Sequence, residues 1–223
     1  MSIIYCIEHL KTIYKNDIYK NSLIKKILLN NSNILEIPIE LNLFPNVEIL
    51  CLSHNSLDKI SNDICNLVKL KNVYLANNNI LEINNNIYKL ENLKIFHLSN
   101  NKIRFIPKEL FNITSLEEIN LINNSLTKIP NSLNNLKKLK ELCLSYNKIN
   151  ILPSSIGCLV NLERLYLHSN KLKFLPKSIG RLEKLTKLYL NNNLLINLPN
   201  TIYKLNNLEI YFPNTYQKNP LIE

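Results

Sequence analysis

Tryptophan is absent from these 223 residues, methionine occurs once, and glycine appears only as Gly157 and Gly180. Two isolated glycines cannot build a Gly-rich loop that cradles phosphate, which excludes nucleotide sites of that kind. The cysteines Cys6, Cys51, Cys65, Cys143 and Cys158 are odd in number, cluster at neither end, and lack metal-ligand spacing. Reduced thiols in a reducing compartment are the expectation. No apolar run approaches the roughly 18 residues of a membrane-spanning helix. The first residues, MSIIYCIEHLKTIYK, have no basic n-region, and Glu8 and His9 interrupt their apolar character, so no signal peptide is expected. Ser2 stands where myristoylation needs glycine, and no C-terminal cysteine is placed for prenylation. These absences point to a cytoplasmic or nuclear chain.

What is abundant is Asn, Leu, Ile and Lys. The Asn excess resembles AT-rich coding, so Asn outside positions that need it is discounted, and the sequons at Asn30, Asn112 and Asn123 match chance. Net charge is +10 and uneven. Residues 1–136 hold 14 basic and 12 acidic side chains, and residues 137–223 hold 13 and 5. Such asymmetry can steer an acidic partner, although a solvated basic face accounts for it equally well.

The apolar residues recur with a fixed period. A 23-residue unit, L-x-x-L-x-L-x-x-N-x-L-x-x-L-P-x-x-L-x-x-L-x-x, runs eight times without a gap, from Ile24, Val47, Leu70, Leu93, Leu116, Leu139, Leu162 and Leu185. Periods of this size describe a solenoid in which each repeat is one turn. Positions four and six are apolar around a variable position five, as in Val73-Tyr74-Leu75, which predicts a short strand buried on one face. No turn can bury its apolar face alone, so stability must come from stacking neighbours.

Position nine is Asn55, Asn78, Asn101, Asn124, Asn147, Asn170 and Asn193, with Ser32 in the first turn. An amide both donates and accepts, so a column of Asn can satisfy backbone groups between turns, a structural role. Position fifteen is Pro38, Pro107, Pro130, Pro153, Pro176 and Pro199, suited by its fixed φ to a bend into the outer segment. Ser61 and Asn84 replace it in turns two and three, where a looser outer segment is expected.

This unit resembles that of intracellular leucine-rich-repeat proteins of the 23-residue Ras-group or Ras-suppressor-like type, over 184 of 223 residues. The resemblance implies an α/β leucine-rich-repeat solenoid, a curved right-handed horseshoe with its parallel sheet on the concave side and 3₁₀ or short helical turns on the convex side. It also implies partner binding, often in small-GTPase or phosphatase signalling. Three regions are expected. Residues 1–23 would form a capping helix, with Ile3, Ile7, Leu10, Tyr14 and Ile18 at helical spacing. Residues 24–207 would hold the eight repeats. Residues 208–223 would form a partial repeat and C-terminal cap, because Pro213 stands where an inward Leu is due.

No catalytic, metal or cofactor site is expected. His54, His97 and His168 lie in turns two, four and seven, too far apart to share a ligand at about 4.8 Å per turn. Cys143 and His168 fall in adjacent turns, but no oxyanion or pocket signal accompanies them. The candidate surface is the concave sheet. Tyr74, His97, Glu118, Glu141, Tyr146, Arg164, Tyr166, His168, Lys187 and Tyr189 are the residues expected to meet a partner there, with an aromatic run Tyr166, Tyr189 and Phe212 on adjacent strands. Tyr and Arg dominate many binding surfaces, and Tyr is also simply a good strand residue. At position two, Lys25 with Glu48, Lys94 with Glu117 and Lys140 with Glu163 are expected to pair as scaffold.

The residues favour a non-catalytic protein-interaction scaffold or adaptor, monomeric alone, with one or more protein partners of acidic character and no small-molecule substrate. A structural subunit of a cytoskeletal or ciliary assembly is an alternative. Weak nucleic-acid binding through the basic C-terminal half is disfavoured, because Lys137, Lys138, Lys177, Arg181 and Lys184 are scattered and no base-reading module is visible.

Overall fold

An apolar–variable–apolar triplet buries one face only, and its backbone groups need partners from another turn. The computed structural model describes residues 3–6, 8, 10 and 18–212, and it meets both demands with one ten-stranded parallel sheet stacked in chain order. Strand β1 (Ile3–Ile4) is followed by helix α1 (Ile18–Leu23) and then β2 (Lys26–Leu28). Strands β3 (Ile49–Cys51), β4 (Asn72–Tyr74), β5 (Ile95–His97), β6 (Glu118–Asn120), β7 (Glu141–Cys143), β8 (Arg164–Tyr166), β9 (Lys187–Tyr189) and β10 (Glu209–Tyr211) complete it. The middle residue of each strand from β2 to β9 is buried, from Ile27 to Leu188. The remaining apolar positions join these residues in one continuous core, with Phe44, Phe96 and Phe111 as its largest members.

Each repeat returns through a five-residue 3₁₀ segment, the first Ile39–Leu43 and the last Asn200–Lys204. The residue before each segment has φ between −61° and −69°, the range proline imposes. Ser61 and Asn84 adopt it too, at −69° and −61°, so the looser outer segment expected in turns two and three is not what forms. Asn84 accepts a 2.7 Å bond from the Asn86 amide, and the Ser61 hydroxyl donates to Asp63 at 2.9 Å.

The Asn column carries the expected role. The Asn101 amide donates to the carbonyl of Leu75 in the preceding turn at 2.9 Å and to Leu98 in its own at 3.0 Å. Its Oδ1 accepts from the Ile80 amide at 2.9 Å, so one side chain ties two turns together. The same arrangement recurs from Asn55 to Asn193.

A second backbone requirement sits one residue earlier. Asn31, His54, Asn77, Asn100, Asn123, Tyr146, Ser169 and Asn192, the position-eight residues, all have φ between 52° and 57°. Left-handed backbone favours Asn among non-glycine residues. Asn at this position is therefore conformational and not drift, which corrects the discount applied to it.

The two ends differ from expectation. Ile3 is a strand residue paired with Lys26, so the capping-helix reading of residues 1–23 fails at its start. Ile3 and Lys26 are 23 residues apart, the spacing that also separates the strands of successive repeats. Leu10 is fully buried in the core and its amide donates to the Cys6 carbonyl, while Ile7 and Tyr14 lie outside the described residues. At the other end Glu209 pairs with Lys187 and Tyr211 with Tyr189, a spacing of 22. A one-residue slip exchanges the two faces of a strand. Ile210 and Phe212 pack against the core, and Tyr211 replaces Phe212 in the concave aromatic column. Phe212 thus takes the inward place that had been given to Pro213, which lies outside the described residues.

Candidate functional site

Strand registers bring most of the predicted concave residues into two groups. In the first, Tyr74 and His97 meet edge to face at 5.2 Å, and His97 Nε2 lies 3.6 Å from Glu118. Burial pulls the His97 pKa below its usual value, against the opposing pull of Glu118.

The second group occupies turns six to eight and β10. The rings of Tyr166 and Tyr189 stack at 4.7 Å and 9°, and Tyr189 and Tyr211 stack at 4.2 Å and 7°. Tyr146 meets His168 edge to face at 5.1 Å, and His168 reaches Tyr189 at 6.3 Å. This aromatic patch is offered by adjacent parallel strands and would present a rigid, amphipathic surface. The Tyr211 hydroxyl donates to Glu209 at 2.9 Å, and this carboxylate, followed by Tyr189, pushes the phenol up to about 12. Tyr146 is 54% exposed in left-handed backbone, a conformation unusual for a bulky side chain.

Beside the aromatics, Arg164 Nε donates to Glu141, and its Nη1 lies 3.4 Å from Glu163. The bond to Glu141 holds the guanidinium more firmly protonated. Lys187 lies in register with Arg164 on the next strand and, among the described residues, takes part in no ion pair. The sequence reading missed Tyr211 because it held the period at 23; the alternation Ile210-Tyr211-Phe212 was the available signal.

Cys143 is buried, and its thiol donates to Glu141 at 3.2 Å. Burial first, and then Glu141, raise its pKa well above the usual range, the opposite of an activated nucleophile. His168 Nδ1 engages the fully buried Ser145 hydroxyl at 2.8 Å. The adjacent-turn spacing of Cys143 and His168 thus serves two separate packing contacts.

The position-two column confirms two pairs and corrects a third. Lys25 lies 3.5 Å from Glu48, and Lys94 lies 3.1 Å from Glu117. Lys140 pairs with Glu117 at 2.8 Å and not with Glu163, which turns to Arg164. Lys71 also bonds Glu48, at 2.7 Å. Glu48 and Glu117 are thus each clamped by lysines from the turns on both sides, and the bond from Lys71 to the first and from Lys140 to the second is the main cause that lowers their pKa.

Comparison with known proteins agrees with this geometry. Family models described as leucine-rich repeat match residues 46–67, 68–126 and 91–149, and a leucine-rich repeat region model matches residues 131–211. No curated protein matches. A leucine-rich-repeat protein of Leptospira interrogans is 28% identical with a TM-score of 0.70, covering 89% of this chain and 57% of that one. The plant peptide hormone receptor RGFR1, solved in complex with RGF2, is 27% identical with a TM-score of 0.76, covering 86% of this chain and 32% of its own. The leucine-rich repeat domain of the type III effector XopL is 25% identical with a TM-score of 0.79, covering 90% and 72%. This chain therefore spans little over half the length of the first of these and a third of the second. With the repeat, the Asn column, the stacked parallel sheet and these matches in agreement, the chain is a leucine-rich-repeat protein.

Proposed function

We propose that this protein is a non-catalytic interaction scaffold that receives a protein partner on the concave face of turns six to eight and β10. The Tyr166–Tyr189–Tyr211 stack flanked by Arg164 and Lys187 is the observation that carries the reading. Stacked rings supply contact area at low entropic cost, and Arg164 and Lys187 suit a partner of acidic character. RGFR1, a relative by fold and repeat, binds a peptide hormone, which supports an extended protein segment as the ligand class. The 23-residue L-P-x-x-L-x-x-L unit supports a Ras-group or Ras-suppressor-like type, and with it a place in small-GTPase or phosphatase signalling. Five free thiols support a reducing, cytoplasmic setting, with the chain monomeric before it meets its partner.

Recovery of partners on the tagged chain from native cells tests this. Tyr166→Ala with Tyr189→Ala and Arg164→Glu should abolish recovery while unfolding stays cooperative. Unchanged recovery with the triple variant contradicts the concave site.

A further inference from the structure

On and beside the concave strands, Glu48, Glu117 and Glu141 are each held by a cation of an adjacent turn. The flank between the Asn column and position fifteen behaves differently. At positions ten to thirteen, turns four to seven present Lys102, Arg104, Lys128, Lys148, Lys171 and Lys173, all exposed, and no carboxylate stands among them. Among the described residues none of the six forms an ion pair or a side-chain hydrogen bond. The same positions in turns one to three carry Glu36, Asp58 and Glu82 beside a single Lys59. Repeat stacking demands neither pattern, because these side chains point to solvent.

Large apolar groups accompany the cations. Phe105 is 72% exposed, Ile151 62% and Phe174 61%. Between Phe105 and Ile151 lies a groove of about 470 Å³, floored by Ile106, Ile129, Pro130 and Pro153, with Lys128 on its wall. Phe105 and Phe174 lie three turns apart, about 14 Å at 4.8 Å per turn. An extended segment of about four residues covers that span.

We propose that this flank is a second protein-docking surface, separate from the concave one. It takes a short acidic segment in which carboxylates alternate with large apolar side chains. The carboxylates meet the unpaired cations, and an apolar side chain enters the groove beside Phe105. The open apolar trough between Phe105 and Ile151 fits one inserted side chain and gives a flat bilayer surface little purchase. Single-stranded nucleic acid needs successive stacking platforms, whereas here Lys128 and Ile151 separate the two Phe residues.

The test is fluorescence anisotropy of the full chain with a labelled 12-residue synthetic peptide alternating Glu with Leu and Phe. Saturable binding that weakens with added salt is expected. Lys128→Glu with Lys148→Glu, and separately Phe105→Ser with Phe174→Ser, should each weaken it at least about tenfold, as for residues central to an interface. Both pairs are exposed, and unchanged thermal unfolding verifies their fold. Tyr166→Ala with Tyr189→Ala should leave this binding unchanged, which separates the flank from the concave reading. Equal binding of a Glu/Ser peptide, tighter binding to phosphatidylserine vesicles or to a single-stranded oligonucleotide, or no peptide binding would each overturn the proposal.

Discussion

In turns one to three, position five reads Leu28, Cys51, Tyr74 and the flank is acidic; in turns six to eight it reads Cys143, Tyr166, Tyr189, and the flank of turns four to seven is basic. The scaffold beneath is the same in both. Strand registers, the Asn column, the left-handed residue at position eight and the outer 3₁₀ segments repeat with little change. The comparison teaches that the fold constrains the buried columns and leaves the exposed ones free to diverge. Exposed columns that concentrate aromatics and unpaired cations are where the proposed binding surfaces lie, because stacking of the repeats requires neither.

The halves also differ in packing, and the largest expected effect tests that. A Cβ on Gly157 would sit 2.3 Å from the Ser178 carbonyl oxygen, and one on Gly180 would sit 2.2 Å from that of Thr201. Backbone cannot yield as a side-chain tip can, so Gly157→Leu should cost about 3 kcal/mol or more. Turn two already places Cys65 at this position, so Cys65→Ala should cost much less. Urea unfolding of both variants measures the contrast, and equal losses would erase it.

The Asn column should respond more evenly. Asn101→Ala removes bonds to Leu75 and Leu98 and orphans the Ile80 amide, so a loss of about 2–3 kcal/mol is expected. Asn55, nearer the start and only part-buried, should cost less when replaced, because water reaches the freed groups. Equilibrium denaturation of the two Ala variants provides the comparison.

Tyr146 should behave in the opposite sense. Asn tolerates its left-handed backbone better, so Tyr146→Asn is expected to stabilise the fold by about 1 kcal/mol. The same change removes the contact with His168 and should weaken concave binding. A higher melting temperature together with lower partner recovery is the expected pair of readings.

The smallest effect is the pH dependence contributed by the histidines of turns four and seven. Burial lowers the pKa of His97 and His168 in the folded chain. The unfolded chain binds these protons near pH 6.5 and the folded chain binds them only at lower pH. Stability from these groups is therefore full above that value and declines as pH falls below it. Denaturation at pH 7.5 and 5.5 should show this decline, and His97→Gln with His168→Gln should reduce it.

Most of the fold was legible because buried columns leave a strict period: Leu positions, the Asn column and the Pro bend each repeat for one physical reason. What escaped notice was less periodic or had a competing explanation. Asn at position eight looked compositional until its positive φ gave it a cause. The strand at Ile3–Ile4 was hidden because two residues carry no alternation of their own. Tyr211 was displaced by a one-residue slip that only pairing with Tyr189 reveals. The concave candidates followed from strand alternation, whereas the basic flank lies at positions with no regular structure and shows itself only through exposure and lack of partners.

The most direct measurement is site-specific photocrosslinking in native cells, with the crosslinker placed at position 189 or at position 51, equivalent positions on β9 and β3. The account predicts a discrete protein crosslink from position 189 and none from position 51. Crosslinks of equal strength from both, or from position 51 alone, would contradict it.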